Sequence, residues 1–305
     1  MTPIRICTFN VENLFSRFHF KRDMSPEGIQ RLLLDGWLAD DVRVKPAGDP
    51  HALLVAEALT AVNADIVALQ EIESLETLKH FNRKYLGDLG YTYAMCIDGN
   101  DSRGIDVGVL SRKQITNIRS HQWDCRPDRT NEPIFGRDCL EIDILVADLT
   151  PLTLFINHFK SIAGDRERTM YRRKMQAERV VAIVKERFGE DPSGGSWIIL
   201  GDLNDYAPSS GLDPLLSQLW LENIVNRLPA KDRWTHHYQP QDEVHTLDYI
   251  LASLHIASQS VSSCPFIERR GLPRRIKSYT AARFLGVTET VKASDHCPLA
   301  WDCII

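Results

Sequence analysis

Apolar runs in this 305-residue chain repeatedly end on an acid, an amide or an imidazole where a turn residue would be ordinary. Asn10 and Glu12 close the first run in FNVENLF, Gln70 and Glu71 close DIVALQEIE, and His158 and Lys160 end INHFKS. Asp202, Asn204 and Asp205 close WIILGDLND, Asp248 lies inside HTLDYILAS, and Asp295 and His296 stand just ahead of the final run in SDHCPLAW. Each residue alone has a bland reading, since a carboxylate at a strand end is commonly a cap or a surface charge and a lone histidine is commonly structural. The joint pattern reads differently. If the strand ends converge, they form one pocket of carboxylates, amides and two histidines, and its negative charges repel unless a cation sits among them.

Oxygen donors without thiolates suit a hard cation, Mg²⁺ or Mn²⁺. The seven cysteines are scattered with no C-x-x-C pair and are expected to be buried thiols of a reducing compartment. Hydrolysis of a phosphate ester needs a group that orients and deprotonates water, a metal that neutralises developing charge, and donors that hold the phosphoryl oxygens. The inventory supplies all three.

The elements that must carry these residues are short apolar runs of strand type at Ile4–Phe9, Ile66–Leu69, Val107–Leu110, Leu140–Ala147, Leu154–Ile156, Trp197–Leu200, Leu247–Leu251 and Leu299–Cys303. Between some of them lie helical patterns. HALLVAEALTAVNA follows Asp49, a candidate cap, and DRERTMYRRKMQAERVVAIVKERF turns Met175, Val180, Val181 and Val184 to one side before Gly189. The runs at 140–147 and 154–156 leave no room for a helix between them, so antiparallel pairing is required alongside the α/β alternation. No repeat or linker is visible, so one domain over residues 1–305 is expected. The least regular stretches are Ser16–Asp49, Asn117–Arg137 and Ser258–Ser294.

Hydrophobic content of 43%, charged content of 25% and a net charge of -5 are those of an ordinary globular chain and argue against a generally cationic nucleic-acid binder. No apolar run approaches the ~20 residues of a membrane span, so no membrane partner is expected. MTPIRICTFN lacks the apolar core of a signal segment, so a cytoplasmic location is expected. Two stretches are locally basic: Arg166, Arg168, Arg172, Arg173 and Lys174 on the long helix, and Arg269, Arg270, Arg274, Arg275 and Lys277 ahead of Asp295. They read either as solvated faces or as contacts to a phosphate backbone. Trp37, Trp123 and Trp234 are candidates for stacking bases.

FNVENLF, LQEIE, INHFKS, GDLND, LDYILAS and SDHCPL, in that order over nearly the whole chain, resemble the endonuclease/exonuclease/phosphatase superfamily, the metal-dependent hydrolases related to DNase I and exonuclease III. The NVENLF and NHFKS forms are most similar to a bacterial branch of predicted nucleases, many of them extracellular. The resemblance implies a four-layer α/β-sandwich, two packed mixed β-sheets flanked by helices. It also implies roles. Glu71 is the principal metal ligand, with Asn10 beside it and Asp295 on the metal side. Asp202 is the base, Asn204 positions the water or the leaving oxygen, His158 donates to a phosphate oxygen, and His296 binds the scissile phosphate. Asp248 orients a neighbouring histidine, taken as His158. Glu12, Lys160 and Asp205 are further candidates, as are Arg103 and Arg137 for a phosphate clamp. The implied activity is divalent-metal-dependent phosphoric ester hydrolysis, and the two basic stretches favour a phosphodiester hydrolase with nucleic acid as substrate. The alternatives are a phosphatase or phosphodiesterase on a small ester, such as an inositol phosphate or lipid headgroup, and a non-catalytic binding module.

Overall fold

The computed structural model describes residues 3–15, 18–20, 44–46, 49–147, 150–162 and 165–305. Two six-stranded sheets face one another. Strands β1 (Pro3–Leu14), β2 (Ile66–Ile72), β3 (Tyr93–Cys96), β4 (Asp106–Ser111), β5 (Ile115–Ser120), β6 (Leu140–Ala147), β7 (Thr150–His158), β8 (Trp197–Asp202), β9 (Leu221–Asn223), β10 (Asp248–Ser253), β11 (Phe266–Ile267) and β12 (Leu299–Ile304) build them. The first sheet runs β11-β12-β1-β2-β4-β3 and the second β9-β10-β8-β7-β6-β5. All eight apolar runs of the sequence lie in these strands, save that Leu247 stands one residue ahead of β10. The short β3, β5, β9 and β11 carry too little apolar pattern to announce themselves, and β5 falls partly in a stretch read as irregular.

Alternation within each strand explains the layers, because successive side chains point to opposite faces. Ile4, Ile6, Ile66 and Ala68 meet Leu154, Ile156, Ile198 and Leu200 between the sheets. Their neighbours Phe9, Val67 and Leu69 turn outward against Leu54, Val55, Leu59, Leu78 and Phe81 of helices α1 (Asp49–Val62) and α2 (Leu75–Tyr85). On the other side Phe155, Trp197 and Ile199 turn outward against Met175, Val180, Ile183 and Val184 of helix α3 (Arg166–Phe188). Asp165 caps α3 by accepting from the Arg168 amide, and Gly189 ends it at φ 89°, a conformation glycine adopts without penalty. Helix α1 begins at Asp49 itself, one step earlier than a cap there would allow.

Topology brings the polar strand ends to one edge of the sandwich. Each sheet holds one parallel pair, β1 with β2 and β7 with β8, joined by a crossover that carries a helix. The C-terminal ends of four strands therefore lie together, presenting Asn10, Glu71, His158 and Asp202. The remaining partners run antiparallel, so β10 and β12 begin at that same edge, with Asp248 opposite Asp202 and Leu299 opposite Thr8.

Candidate active site

Local backbone devices aim these side chains. The β1–β2 register breaks between Asn10 and Leu14, and the β2–β4 register between Gln70 and Ile72, so Glu71 stands outside the ladder. Such a bulge re-aims a side chain. Of six non-glycine residues at positive φ among the described residues, four lie here: Glu12, Asn13, Glu71 and Asn204. Each conformation of this kind costs about 1–3 kcal/mol and persists only where the surroundings enforce it. Gly201 has φ 139°, and a Cβ there would come within 1.9 Å of the Asn157 carbonyl oxygen. Only glycine lets β8 pass so close to β7 and set Asp202 beside His158.

Asp202 is the hub. Its Oδ1 accepts from the Asn204 amide at 2.8 Å, and its Oδ2 accepts from Asn204 Nδ2 at 2.8 Å and Asn10 Nδ2 at 3.0 Å. His158 Nε2 lies 3.4 Å and His296 Nε2 3.8 Å from the same Oδ2. Asn10 Nδ2 also reaches Glu71 Oε1 at 3.4 Å, and His158 Nε2 stands 3.9 Å from that oxygen. Ser294 ties the last segment in, donating to the Asn10 carbonyl at 2.7 Å and accepting from the His296 amide at 3.0 Å.

Asp248 corrects one expectation: its Oδ2 lies 2.8 Å from His296 Nδ1, so it supports His296 and not His158. The sheet order decides this, because β10 lies beside β8 and faces the loop that leads into β12. His158 keeps a buried Nδ1 without a partner, and Asp248 Oδ1 is likewise buried and unpaired.

These surroundings polarise the titratable groups. Burial pushes Asp202 up to about 7, with Asp248 adding repulsion against the pull of His296 and the Asn10 bond. Burial works against a charged His296, but Asp248 and Asp202 outweigh it and hold the ring well above its ordinary range. Burial, with the charges of Arg137 and His296, holds His158 well below that range. Asp295 is held low despite burial, by His296 and Lys292. With Nδ1 facing a carboxylate, His296 carries its proton there and turns Nε2 to the cleft.

The cleft measures about 510 Å³ and is lined by Asn10, Glu12, Glu71, Arg103, Arg137, His158, Asp202, Asn204, Asp295 and His296. Oxygen donors dominate around Glu71 and Asn10, and the buried Asp202 carboxyl, lifted by burial, is a group that a nearby cation would hold ionised; both fit a hard divalent metal. Glu12 is engaged elsewhere, by Lys292 at 2.6 Å and the Asp295 amide at 2.9 Å. Asp205 faces away from the cleft, bound by Arg166, Arg173 and Ser209. The Lys160 ammonium is depressed by burial and by Arg137 and Arg103.

The basic stretches are largely consumed by the protein. Arg269 donates to the Asp232 and Trp234 carbonyls, Arg270 to Glu268, Arg274 to the Val287 carbonyl, and Arg173 is fully buried. Of the tryptophans, Trp234 lies under the Arg269 guanidinium at 4.1 Å, Trp123 is 76% exposed, and Trp37 lies outside the described residues. The cysteines are all free, but Cys125 and Cys264 are exposed, unlike the other five. Among the described residues no helix is long and apolar enough to cross a membrane.

One wall of the cleft escaped the sequence pattern. His236, Tyr238, Glu243 and His245 line it from a two-stranded ribbon, His236–Tyr238 with Glu243–His245, and Tyr206 stacks on His245 at 4.5 Å. Their only sequence signal was the HHY triplet and the position of His245 three residues before Asp248.

A model of the Endonuclease/Exonuclease/phosphatase family matches residues 7–296. No curated protein sequence matches the chain. Among solved structures the chain is similar to truncated TDP2 of Caenorhabditis elegans, with 14% identity and a TM-score of 0.60 over 99% of this chain and 98% of that one. It is similar to the catalytic domain of human Nocturnin with bound sulfate, with 16% identity and a TM-score of 0.62 over 99% and 94%. It is also similar to a mannosyl-6-phosphatase of Bacteroides thetaiotaomicron, with 16% identity and a TM-score of 0.62 over 99% and 100%. At such identities the likeness is one of fold, and the two helix-flanked mixed sheets described above are that fold.

Proposed function

From the premise that the chain belongs to the Endonuclease/Exonuclease/phosphatase family, we propose that it is a divalent-metal-dependent phosphodiester hydrolase acting on a nucleic acid. The observation that carries the reaction class is the convergence of Asn10, Glu71, His158, Asp202, Asn204, Asp248, Asp295 and His296 on one cleft edge. Glu71 and Asn10, with Asp295, would hold Mg²⁺ or Mn²⁺, which supplies charge neutralisation at the phosphoryl group when bound. Asp202 takes the proton of the attacking water at Oδ2, and the two Asn204 bonds fix the carboxylate plane. His296, charged and backed by Asp248, donates from Nε2 to a phosphoryl oxygen. His158, kept neutral, donates from the side of β7, and the buried Arg137 adds positive charge nearby.

The polymer reading rests on Trp123. It neighbours Gln122, whose carbonyl accepts from Asn100 in the same loop cluster as the exposed Arg103 at the cleft. An exposed ring and an exposed arginine tied into one loop cluster suit a stacked, charged strand. A second reading, a phosphatase on a small ester, is favoured by the arginines of 269–274 being committed to protein carbonyls and Glu268. A panel of plasmid, single-stranded DNA, RNA and small phosphate esters, each with Mg²⁺, Mn²⁺ or EDTA, separates the two. Cleaved polymer is expected in Mg²⁺ or Mn²⁺ and none in EDTA. Phosphate release from small esters with intact polymers refutes the nuclease, and turnover surviving EDTA refutes the metal.

A further inference from the structure

The cleft carries a second set of metal-type donors besides those around Glu71. Among the described residues, His236, Asp295 and His296 each place one ligand atom within 4.8 Å of the others, and Glu71 is not part of that group. His236 Nε2 lies 3.9 Å from Asp295 Oδ2, and the His236 and His296 rings are 4.6 Å apart. Asp248 occupies His296 Nδ1, which leaves Nε2 as the ligand nitrogen. A carboxylate on the far nitrogen is the support that metal-bound imidazoles ordinarily have. The backbone holds the donors together: His236 pairs with His296 as an antiparallel bridge, and the His237 amide donates to the Asp295 carbonyl at 2.9 Å.

We propose that His236, Asp295 and His296 form a three-ligand site for a borderline transition metal, Zn²⁺, which shares only Asp295 with the oxygen-rich hard-metal site, and that zinc bound there inhibits the enzyme. Two imidazoles and one carboxylate with an open fourth position are a zinc donor set and a poor magnesium one. Zinc bonds of about 2.0–2.2 Å put tetrahedral donors roughly 3.3–3.6 Å apart, so donors now within 4.8 Å of one another must close by at most about 1.5 Å. His236 is nine-tenths buried and its Nδ1 has no partner. Zinc on Nε2 occupies the atom that His296 would turn to a phosphoryl oxygen, and Asp295 is withdrawn from the hard-metal side. The inhibition rests on the proposed hydrolase function; the metal site does not.

The test needs no substrate at first. Metal-stripped full-length protein is titrated with Co²⁺ in excess Mg²⁺, then with Zn²⁺ against a chromophoric chelator. One equivalent of cobalt with the intense visible absorption of four- or five-coordinate geometry is expected, displaced by zinc. His236→Asn should weaken both metals at least about tenfold, and Asp248→Asn by about 10- to 100-fold. His236→Asn should retain Mg²⁺-supported turnover and lose sensitivity to zinc. Glu71→Gln should lose turnover and keep the cobalt spectrum, which separates this site from the hard-metal site. Only weak octahedral cobalt absorption, or unchanged affinity in His236→Asn, overturns the proposal. If His236→Asn does not fold, Asp295→Asn takes its place in the same titration, where the same loss of cobalt affinity is expected and an unchanged affinity overturns the site. Absent turnover with an intact cobalt site sinks the hydrolase and leaves the zinc site standing.

Discussion

Asp202 answers to two opposing demands. As the proposed base it must be ionised often enough to act and basic enough to take a proton; burial lifts its carboxyl to about 7, and a bound cation would return it toward the ionised form. Its neighbours divide by burial and partner: the charges of Asp248 and Asp202 favour a protonated His296 despite burial, and burial keeps His158, with no partner on Nδ1, neutral. The Asp248–His296 bond is the step in this arrangement most open to a single substitution. A hydrogen bond to a charged group contributes about 1.5–3 kcal/mol, so Asp248→Asn predicts a kcat lower by roughly 10- to 100-fold with the fold retained. The His296 Nδ1 proton resonance should move or vanish in the same variant. An unchanged kcat and an unchanged resonance would remove Asp248 from its assigned role.

At the scale of elements, the loop after β8 is clamped to α3 by charge. Arg173 donates to Asp205 Oδ2 at 2.9 Å, to Thr169 Oγ1 and to the Arg166 and Lys160 carbonyls, while Arg166 takes Asp205 Oδ1. Tyr249 of β10 donates to the Asp205 carbonyl at 2.9 Å. The clamp fixes the segment that carries Asp202 and Asn204; of its members Arg166 also lines the cleft, while Arg173 and Asp205 stay buried behind it. Removing one partner of a buried ion pair leaves an uncompensated charge and costs about 3–5 kcal/mol. Arg173→Leu should therefore lose stability of that order in urea unfolding. A variant within about 0.5 kcal/mol of the parent would show that Asp205 finds full compensation in Arg166 and Ser209.

The whole molecule buries charge at more than the cleft. Asp106 at the head of β4 is 3% exposed and accepts from the Gly99 amide at 2.7 Å. Burial lifts its carboxyl from an ordinary 3.8 to about 6, with Asp98, Asp101 and Asp138 adding repulsion against that backbone bond. The unfolded chain then releases this proton first. Stability from this group is highest below pH 3.8, falls as pH rises through 3.8 to 6, and stays reduced above. Asp106→Asn keeps an oxygen for Gly99 and removes the charge. Its Tm should exceed that of the parent at pH 8, with the gain gone near pH 4. An equal gain at both would assign the effect to packing.

Some of this was legible along the chain. Alternation places Ile6 and Ile66 between the sheets and Phe9 and Leu69 outside them, because a strand has a period of two whatever it pairs with. The same local reasoning finds Asn10, Glu71, His158 and Asp202, since a polar residue ending a buried strand is visible in the strand itself. Partnership across long separations is not local. Asp248 meets His296, 48 residues away, because β10 lies beside β8. Arg269 and Arg270 look like a basic surface until the loop folds and commits them to Trp234, Asp232 and Glu268. His236 enters the cleft through a three-residue strand too short to carry a pattern. The candidate residue types, and the longer strands that hold them, were thus legible in the sequence alone. Which of them face one another, and which charges remain for a ligand, was decided by the sheet order, which is set by the packing of the two sheets and not by any window of residues.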